Sequence, residues 1–216
     1  MPKRFDPLVF LANIGEGKTI TSYKSGDAIV TQGASAEHVL YLISGRLKET
    51  VKSDSGREAV IGLVEPGQFF GASAVNDSAI RLSSVAAVAP SVVTAMTKSA
   101  MRDAMRKPAF MQLFIAGLLR RNDQIEGEKV DLLFHSSEQR LAQKLLALAH
   151  FDGNGRADEI SHVTQEMLAD MIGTTRPRVN YFLKRFQKMG LIKKNGGGIT
   201  VMSKLLAAIL QQEDKK

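Results

Sequence analysis

Residues 163–201 have the sequence VTQEMLADMIGTTRPRVNYFLKRFQKMGLIKKNGGGITV. Apolar residues recur at three- and four-residue intervals from Met167 to Ile172, which predicts a helix. Thr164 precedes this segment, and its hydroxyl can cap the free N–H groups of the first turn. Gly173 is predicted to end the helix.

A second helix is predicted to follow after a tight turn. Thr175 is its expected cap, and Pro177 lies in the first turn, where a missing N–H costs little. Two short strands are then predicted at 191–192 and 199–201, joined by a turn rich in lysine and glycine. This order of elements is typical of a winged helix-turn-helix, a structure that reads DNA.

The second predicted helix separates an apolar stripe from a basic face. Its apolar residues are Val179, Phe182, Leu183, Phe186 and Met189. The residues that we predict to contact DNA lie on or beside the opposite face or at a helix start: Thr164, Thr175, Arg176, Pro177, Arg178, Asn180, Tyr181, Lys184 and Lys188. From Met171 to Lys204 the chain has eight Lys or Arg and no Asp or Glu, whereas an ordinary solvated surface mixes both signs. The bias favours double-stranded DNA as a partner.

Composition limits the remaining possibilities. With 216 residues and 44% apolar content, the chain can bury a core in one or two domains. Up to Phe134 it has 16 basic and 14 acidic residues (+2), and beyond it 13 and 8 (+5), so polyanion binding is expected in the C-terminal part. The absence of cysteine excludes disulfides, thiolate nucleophiles and cysteine-ligated iron–sulfur clusters. Apolar runs are too short to span a membrane and the first residues lack a signal-peptide core, so a cytosolic protein with no membrane partner is expected.

Two further patterns of apolar residues precede the basic C-terminal region. From Thr19 to Thr97, short apolar or alternating runs are separated by glycine-containing turns, which indicates an all-β domain and suits a jelly roll. Alternation alone leaves open a β-sandwich that binds no ligand. From Phe110 to Phe134 the chain has no proline and repeats apolar residues at three and four, which predicts a long helix too apolar for a single covered face.

We expect a second copy of the chain to cover that helix. The residues predicted at this homodimer contact are Phe114, Leu118, Ile125 and Leu132. A hinge and helix cap are predicted at 135–138, followed by an amphipathic helix from Gln139 to His150.

With these parts in place, the chain resembles the Crp–Fnr superfamily of bacterial transcription regulators along nearly its whole length. The motifs that carry the resemblance are Tyr23–Asp27 with Gln32–Gly33, Tyr41–Gly45, Pro66–Gly71, Glu128–Val130 and Thr175–Val179. The resemblance implies an α+β fold in three parts. A jelly-roll sensor domain of the cyclic-nucleotide-binding type would occupy 1–107, a dimerisation helix and hinge 108–135, and a winged helix-turn-helix DNA-binding domain 136–216.

The family's roles carry over to the DNA-reading helix residue by residue. By the resemblance, Arg176 and Tyr181 occupy base-reading positions, and Arg178 is expected on a flanking phosphate. Pro177 stands where many relatives have a glutamate that reads a base, so the family's usual operator is not assumed. RNA polymerase is a further candidate partner.

The family's effector pocket is where this sequence departs. Members that bind cyclic AMP hold it with a cassette that begins Gly-Glu and ends Arg-Ser, and with a Thr-Ser pair on the dimer helix. The corresponding residues here, which we take as candidate effector-binding residues, are Gly71, Ala72, Arg81, Leu82, Ser83 and Glu126. Ala72 offers no acceptor to a ribose hydroxyl, and Glu126 places an acid near an anionic ligand. Arg81 could bind a phosphate or, equally, connect two loops through hydrogen bonds.

No certain cofactor follows from these residues. We expect cyclic AMP not to be the effector and DNA binding to occur either without a ligand or with another small anion held by Arg81. The four histidines are scattered and form no His-x-His motif, which argues against haem and against a cupin-type metal site. Nothing in the sequence resembles a nucleophile and its base, so no enzyme is expected. Two alternatives stay open: a cyclic-AMP-responsive regulator with an atypical pocket, and a ligand-sensing module whose basic helix docks on an acidic protein.

Overall fold

The computed structural model describes residues 16–54, 56, 58–76, 80–149, 159–195 and 198–202. The described strands are β1 (Lys18–Tyr23), β2 (Ala28–Val30), β3 (His38–Ser44), β4 (Leu47–Lys52), β5 (Glu58–Val64), β6 (Phe69–Phe70), β7 (Ser84–Ala87), β8 (Ser91–Thr97), β9 (Ile192–Asn195) and β10 (Gly198–Val201). The described helices are α1 (Lys98–Met105), α2 (Pro108–Phe134), α3 (Ser137–Leu148), α4 (Gln165–Met171) and α5 (Arg176–Lys188), with a 3₁₀ turn at Ala72–Asn76. The chain divides into two compact units, Met1–Gln124 and Ile125–Lys216, and the division falls within α2.

The first unit contains two four-stranded antiparallel sheets. One has the strand order β1-β8-β3-β6 and the other β2-β7-β4-β5. Buried side chains from both sheets form one apolar cluster between them: Leu40, Leu42, Leu47, Val64, Phe70, Val85, Ala87 and Val93. The predicted jelly roll is therefore confirmed, and its interior is the layer between these two sheets.

A second cluster covers the other face of β3 and β8. In it, Val39, Tyr41 and Met96 pack against α1, the 3₁₀ turn and the first turns of α2. Phe114 belongs to this cluster and is 3% exposed, with its ring 5.2 Å from that of Phe69. The assignment of Phe114 to a dimer contact is therefore corrected, because its side chain already fills the core of its own unit and has no surface to offer.

The long helix α2 leaves much apolar surface exposed. Its exposed large apolar side chains are Met111, Ile115, Leu118, Leu119, Ile125, Val130, Leu132, Leu133 and Phe134. Gly117 and Gly127 lie on the same helix, and a Cβ at either would meet nothing within 4 Å among the described atoms. No described helix is long and apolar enough to cross a membrane.

Within the described part of the second unit, α3, α4 and α5 contact one another, and α5 also contacts the wing strand β9. Ser136 caps α3 in a capping box with Gln139, so this helix starts two residues earlier than predicted. Its inward residues Leu141, Leu145 and Leu148 are buried, as expected. The wing pairs β9 with β10, and Ile160 extends it through two 2.9 Å hydrogen bonds with Ile199.

Candidate nucleic-acid interface and effector pocket

The turn between α4 and α5 forms as its local sequence dictates. The Thr164 hydroxyl accepts a hydrogen bond from the Met167 N–H at 3.1 Å, which caps α4 and leaves its own O–H free to donate. Gly173 follows the C-terminal end of α4 with φ of +63°, a conformation that glycine adopts at little cost. Thr174 N–H donates back to Ala169 O at 2.9 Å, which tightens the turn and places α5 across α4.

The start of α5 differs from the prediction in one detail. Thr175 occupies the N-cap position in an extended conformation, but its side chain makes no capping hydrogen bond. Arg176 and Pro177 form the first turn, and both are exposed. The positive dipole end of this helix is therefore exposed and lies beside the Arg176 guanidinium, an arrangement suited to a phosphate.

The predicted apolar stripe of α5 is buried, apart from its last member. Val179, Phe182, Leu183 and Phe186 are at most 6% exposed, and they anchor the helix in the core of the second unit. Met189 lies at the C-cap and is 47% exposed, so its place in the stripe is corrected: the helix has ended and the side chain no longer faces the core. On the outer face Tyr181 is 63% exposed and Asn180 is half-buried.

The cations of α5 fall into two groups. Arg178 lies with its Cζ 5.8 Å from the centre of the Phe182 ring, and Arg185 Nη1 lies 2.7 Å from Glu138 Oε2 on α3. Arg176, Lys184 and Lys188 are exposed and form no ion pair with any residue that the structure describes. These three keep positive charge available to an external anion.

The wing adds two more cations. Lys193 and Lys194 lie on β9 and are exposed, so this strand projects positive charge as the sequence suggested. Leu191, predicted to begin the strand, instead precedes it and is buried. Gly196 and Gly197, which we placed in the wing turn, lie outside the described residues.

The first part of the predicted effector cassette forms the 3₁₀ turn. Gly71 precedes it with φ of +63°, and Ala72 packs partly against the apolar cluster behind β3. A Cβ at Gly71 would collide with Arg81 Nη1 and crowd the Leu40 Cδ1 methyl, and the positive φ also favours glycine. Residues 77–79, in the middle of the cassette, lie outside the described part of the chain.

Arg81 is turned into the protein and is 6% exposed. Its Nη1 donates to Gly71 O at 3.0 Å and its Nη2 to His38 O at 2.6 Å, so the side chain ties the cassette to the start of β3. Burial lowers the pKa of Arg81 from its usual value, and the charge of Glu37 opposes this effect. The sequence left open whether Arg81 binds a phosphate or connects two loops, and this geometry is that of a residue that connects two loops.

The end of the cassette contacts a carboxylate on β4 that was not predicted from the sequence. Leu82 is 71% exposed, whereas the Ser83 hydroxyl donates to Glu49 Oε1 on β4. Glu49 Oε2 also accepts from Arg121 Nη2 on α2 at 2.5 Å, and the Glu49 side chain is only 12% exposed. Glu126, the remaining predicted pocket residue, is exposed on α2 in the second compact unit.

One signal in the sequence could have identified Glu49. Strand residues alternate between the two faces of a sheet, so Leu47, Glu49 and Val51 share a face. In the register, Leu47 pairs with Ala87 and Glu49 with Val85, and both partners belong to the cluster between the sheets. An acid among inward apolar positions requires a partner, and that requirement predicts a buried polar contact.

The histidines do not form a common site in the described chain. His135 Nδ1 lies 2.9 Å from Asp131 Oδ1, and His38 contributes its backbone oxygen to Arg81. His162 has φ of +58°, and His150 lies outside the described residues. Among the described residues no group of three or more His, Cys, Asp or Glu could hold a metal ion.

Comparison with known proteins agrees with this architecture. The family model of the cyclic nucleotide-binding domain matches residues 20–107. The model of the Crp-like helix-turn-helix domain matches residues 139–207. The two matches coincide with the jelly roll and with the unit that carries α4, α5 and the wing.

Relatives of this chain include named regulators. The CRP-like cAMP-activated global transcriptional regulator of Mycobacterium tuberculosis is 27% identical over 183 residues, which cover 83% of this chain and 82% of that protein. The cAMP-activated global transcriptional regulator CRP of Pasteurella multocida is 27% identical over 186 residues, which cover 84% and 89%.

Solved structures share the fold at lower identity. FixK2 from Bradyrhizobium japonicum has a TM-score of 0.75 and 18% identity, and the match covers 88% of this chain and 96% of that one. The c-di-GMP-responsive global regulator CLP of Xanthomonas campestris has a TM-score of 0.71 and 19% identity, with 89% and 95% covered. With a cyclic nucleotide-binding domain and a Crp-like helix-turn-helix domain in this order on one chain, the protein belongs to the Crp–Fnr superfamily of transcription regulators.

Proposed function

We propose that the protein is a homodimeric, sequence-specific transcription regulator that binds a palindromic operator and is not controlled by cyclic AMP. The observation that carries the DNA-binding part is the outer face of α5. There Arg176 stands at the exposed helix start, Tyr181 is 63% exposed, and Lys184 and Lys188 have no acidic partner among the described residues. Arginine can form two hydrogen bonds to guanine in the major groove, and flanking lysines can contact phosphates.

The pairing of the α5 cations supports a division of roles. Arg178 is engaged with the Phe182 ring and Arg185 with Glu138, so both have positions fixed by the protein itself. Arg176 and Tyr181 are left to reach base edges, with half-buried Asn180 beside them. The helix cap at Thr164 and the wing lysines Lys193 and Lys194 would position the unit on the phosphate backbone.

A second copy of the chain is the proposed cover for α2. Met111, Ile115, Leu118, Ile125 and Leu132 are all exposed, and their spacings of four, three, seven and seven residues place them along one coiled-coil seam. Two such helices related by a two-fold axis would bury this seam and place two copies of α5 on one duplex. The operator would then contain two half-sites about one helical turn, roughly 10 base pairs, apart.

Independence from cyclic AMP rests on the cassette. Ala72 supplies no acceptor for a ribose hydroxyl, and both ends of the Arg81 guanidinium already donate to backbone oxygens. A cyclic phosphate that took over these two N–H groups would break the hydrogen bonds of Arg81 to Gly71 O and His38 O, which hold the cassette on the start of β3. The two relatives above are named as cAMP-activated and CLP as responsive to c-di-GMP, so the fold alone does not determine the effector.

A salt titration against mixed-sequence duplex DNA tests the proposal and separates it from docking on an acidic protein. Neutralised phosphates release counterions, so the logarithm of the DNA affinity should fall steeply and linearly with the logarithm of the salt concentration. Footprinting should then show a two-fold symmetric protected site. Absence of DNA binding at low salt would favour the protein-docking alternative. As such a regulator the protein would act in the cytosol, with RNA polymerase as a further partner where it activates.

A further inference from the structure

Three parts of the sensor unit meet at one carboxylate. Glu49 lies on the inward face of β4, Ser83 ends the effector cassette just before β7, and Arg121 lies on α2. Ser83 donates to Glu49 Oε1, and Arg121 Nη2 lies 2.5 Å from Glu49 Oε2. Each carboxylate oxygen therefore has its own donor, from two elements that are separate in the sequence.

The contact requires these partners for a physical reason. The Glu49 side chain is 12% exposed and shares its face with Leu47 and Val85, which are buried apolar residues. An ionised carboxylate in such surroundings is costly unless it is both hydrogen-bonded and paired with a cation. Ser83 supplies a hydrogen bond and Arg121 supplies both, so breaking either contact would leave a largely buried charge less compensated.

The same contact resembles the binding of an anionic ligand. A small acid bound at the end of the cassette could accept from the Ser83 hydroxyl and pair with the Arg121 guanidinium, and it would thereby join the sheet to α2. Glu49 makes both of these contacts from within the chain. The other cation of the cassette, Arg81, is held by Gly71 O and His38 O.

From this geometry we infer that Glu49 is an internal ligand: its carboxylate occupies the anion position between Ser83 and Arg121 and holds α2 on the sensor sheet without an effector. This inference rests on the proposed function, because it explains how operator binding proceeds in a ligand-free protein. An anionic effector that bound between Ser83 and Arg121 would have to displace Glu49. The chain itself therefore supplies the contacts that a bound anion would make, and these contacts depend on the Glu49 carboxylate.

The test is operator binding by the full-length, ligand-stripped protein, measured as fluorescence anisotropy of a duplex selected with the wild-type protein. Glu49→Ala should weaken operator binding roughly tenfold, within the range typical of allosteric coupling. Glu49→Gln, which keeps the size and loses the charge, should also weaken it. Glu58→Ala is the matched control, because it removes an exposed carboxylate from the neighbouring strand β5 and should leave the affinity unchanged.

A chemical-rescue arm distinguishes a ligand-like carboxylate from a merely structural one. Sodium acetate, compared with sodium chloride at equal ionic strength, should restore part of the operator affinity of Glu49→Ala, because acetate can bind between Ser83 and Arg121. It should have no such effect on the wild-type protein or on a variant that also carries Arg121→Met. Sedimentation and thermal melting establish that each variant remains a folded dimer. If Glu49→Ala does not fold, the operator affinity of Glu49→Gln tests the inference.

Two results would overturn the inference. One is wild-type operator affinity in folded Glu49→Ala and Glu49→Gln. The other is reduced affinity that acetate and chloride change equally, which would make Glu49 a structural residue only. Failure of the wild-type protein itself to bind any selected duplex would instead contradict the proposed function, so the two failures are distinguishable.

Discussion

Arg81 Nη1 donates to Gly71 O at 3.0 Å, and the guanidinium fills the space that a side chain on Gly71 would need. Both residues belong to the predicted effector cassette, and here they contact each other. We therefore expect Gly71→Ala to lower the free energy of unfolding by more than the cost of its φ of +63°. That conformational cost is about 1–2 kcal/mol, and overpacking adds about 1–3 kcal/mol.

The matched control for this change is Gly33→Ala. Gly33 has φ of +82°, and a Cβ there would meet nothing within 4 Å among the described atoms, so only the conformational cost applies. Urea denaturation of both variants measures the difference. Equal losses would mean that Arg81 does not fill this space in solution.

Arg81→Met tests whether the arginine stabilises the fold, by connecting the cassette to β3, in the absence of any ligand. The substitution removes both donors and leaves Gly71 O and His38 O without this partner. We expect the ligand-stripped protein to lose at least about 1.5–3 kcal/mol of stability, the usual contribution of a hydrogen bond from a charged group. Arg102→Met, on the exposed face of α1, is the control. An unchanged melting curve for stripped Arg81→Met would indicate that Arg81 serves only to hold an effector.

The division of roles on α5 predicts two kinds of DNA-binding loss. Arg176→Ala should cost about 1–3 kcal/mol on the operator and relax the preference at one base pair. Lys188→Ala should weaken binding to all sequences alike and reduce the salt slope by about 1. Competition with operator duplexes substituted at single positions measures both effects. Equal losses on specific and random DNA for both variants would contradict the assigned roles.

The exposed seam of α2 predicts the oligomeric state. Replacing both Leu118 and Ile125 by Glu would place unpaired charge in the buried contact between two copies of the helix, which is strongly unfavourable. We expect the double variant to sediment as a monomer and to lose operator binding. Both residues are more than 40% exposed within the chain, so the folded unit itself should keep its stability. A double variant that stays dimeric would show that the interface lies elsewhere.

The features that could be predicted from the sequence are those fixed by neighbouring residues. The Thr164 cap, the turn at Gly173 and the buried stripe of α5 all follow from spacing over one or two helical turns. The alternating runs likewise revealed the strands of the jelly roll. Helix α1 was not anticipated, because Lys98–Met105 directly follows β8 with no break in the chain other than the cap at Thr97.

Features that depend on distant contacts could not be predicted in the same way. Periodicity marked Phe114 as an apolar helix residue, but it cannot distinguish burial against the same unit from burial against a second copy. The pair of Glu49 and Arg121 joins residues 72 positions apart, so it emerges only when the sheets and α2 are assembled. Thr175 has the residue type of a cap, but side-chain capping depends on a rotamer that the sequence does not determine.

Binding of the selected operator by ligand-stripped protein, titrated with and without cyclic AMP, tests the proposed regulation most directly. Ala72 offers no acceptor to a ribose hydroxyl, and Arg81 already donates from Nη1 and Nη2 to two backbone oxygens. We predict the same operator affinity in both titrations and no cyclic AMP binding by calorimetry in the micromolar range. Micromolar affinity for cyclic AMP together with operator binding that requires it would contradict the proposal.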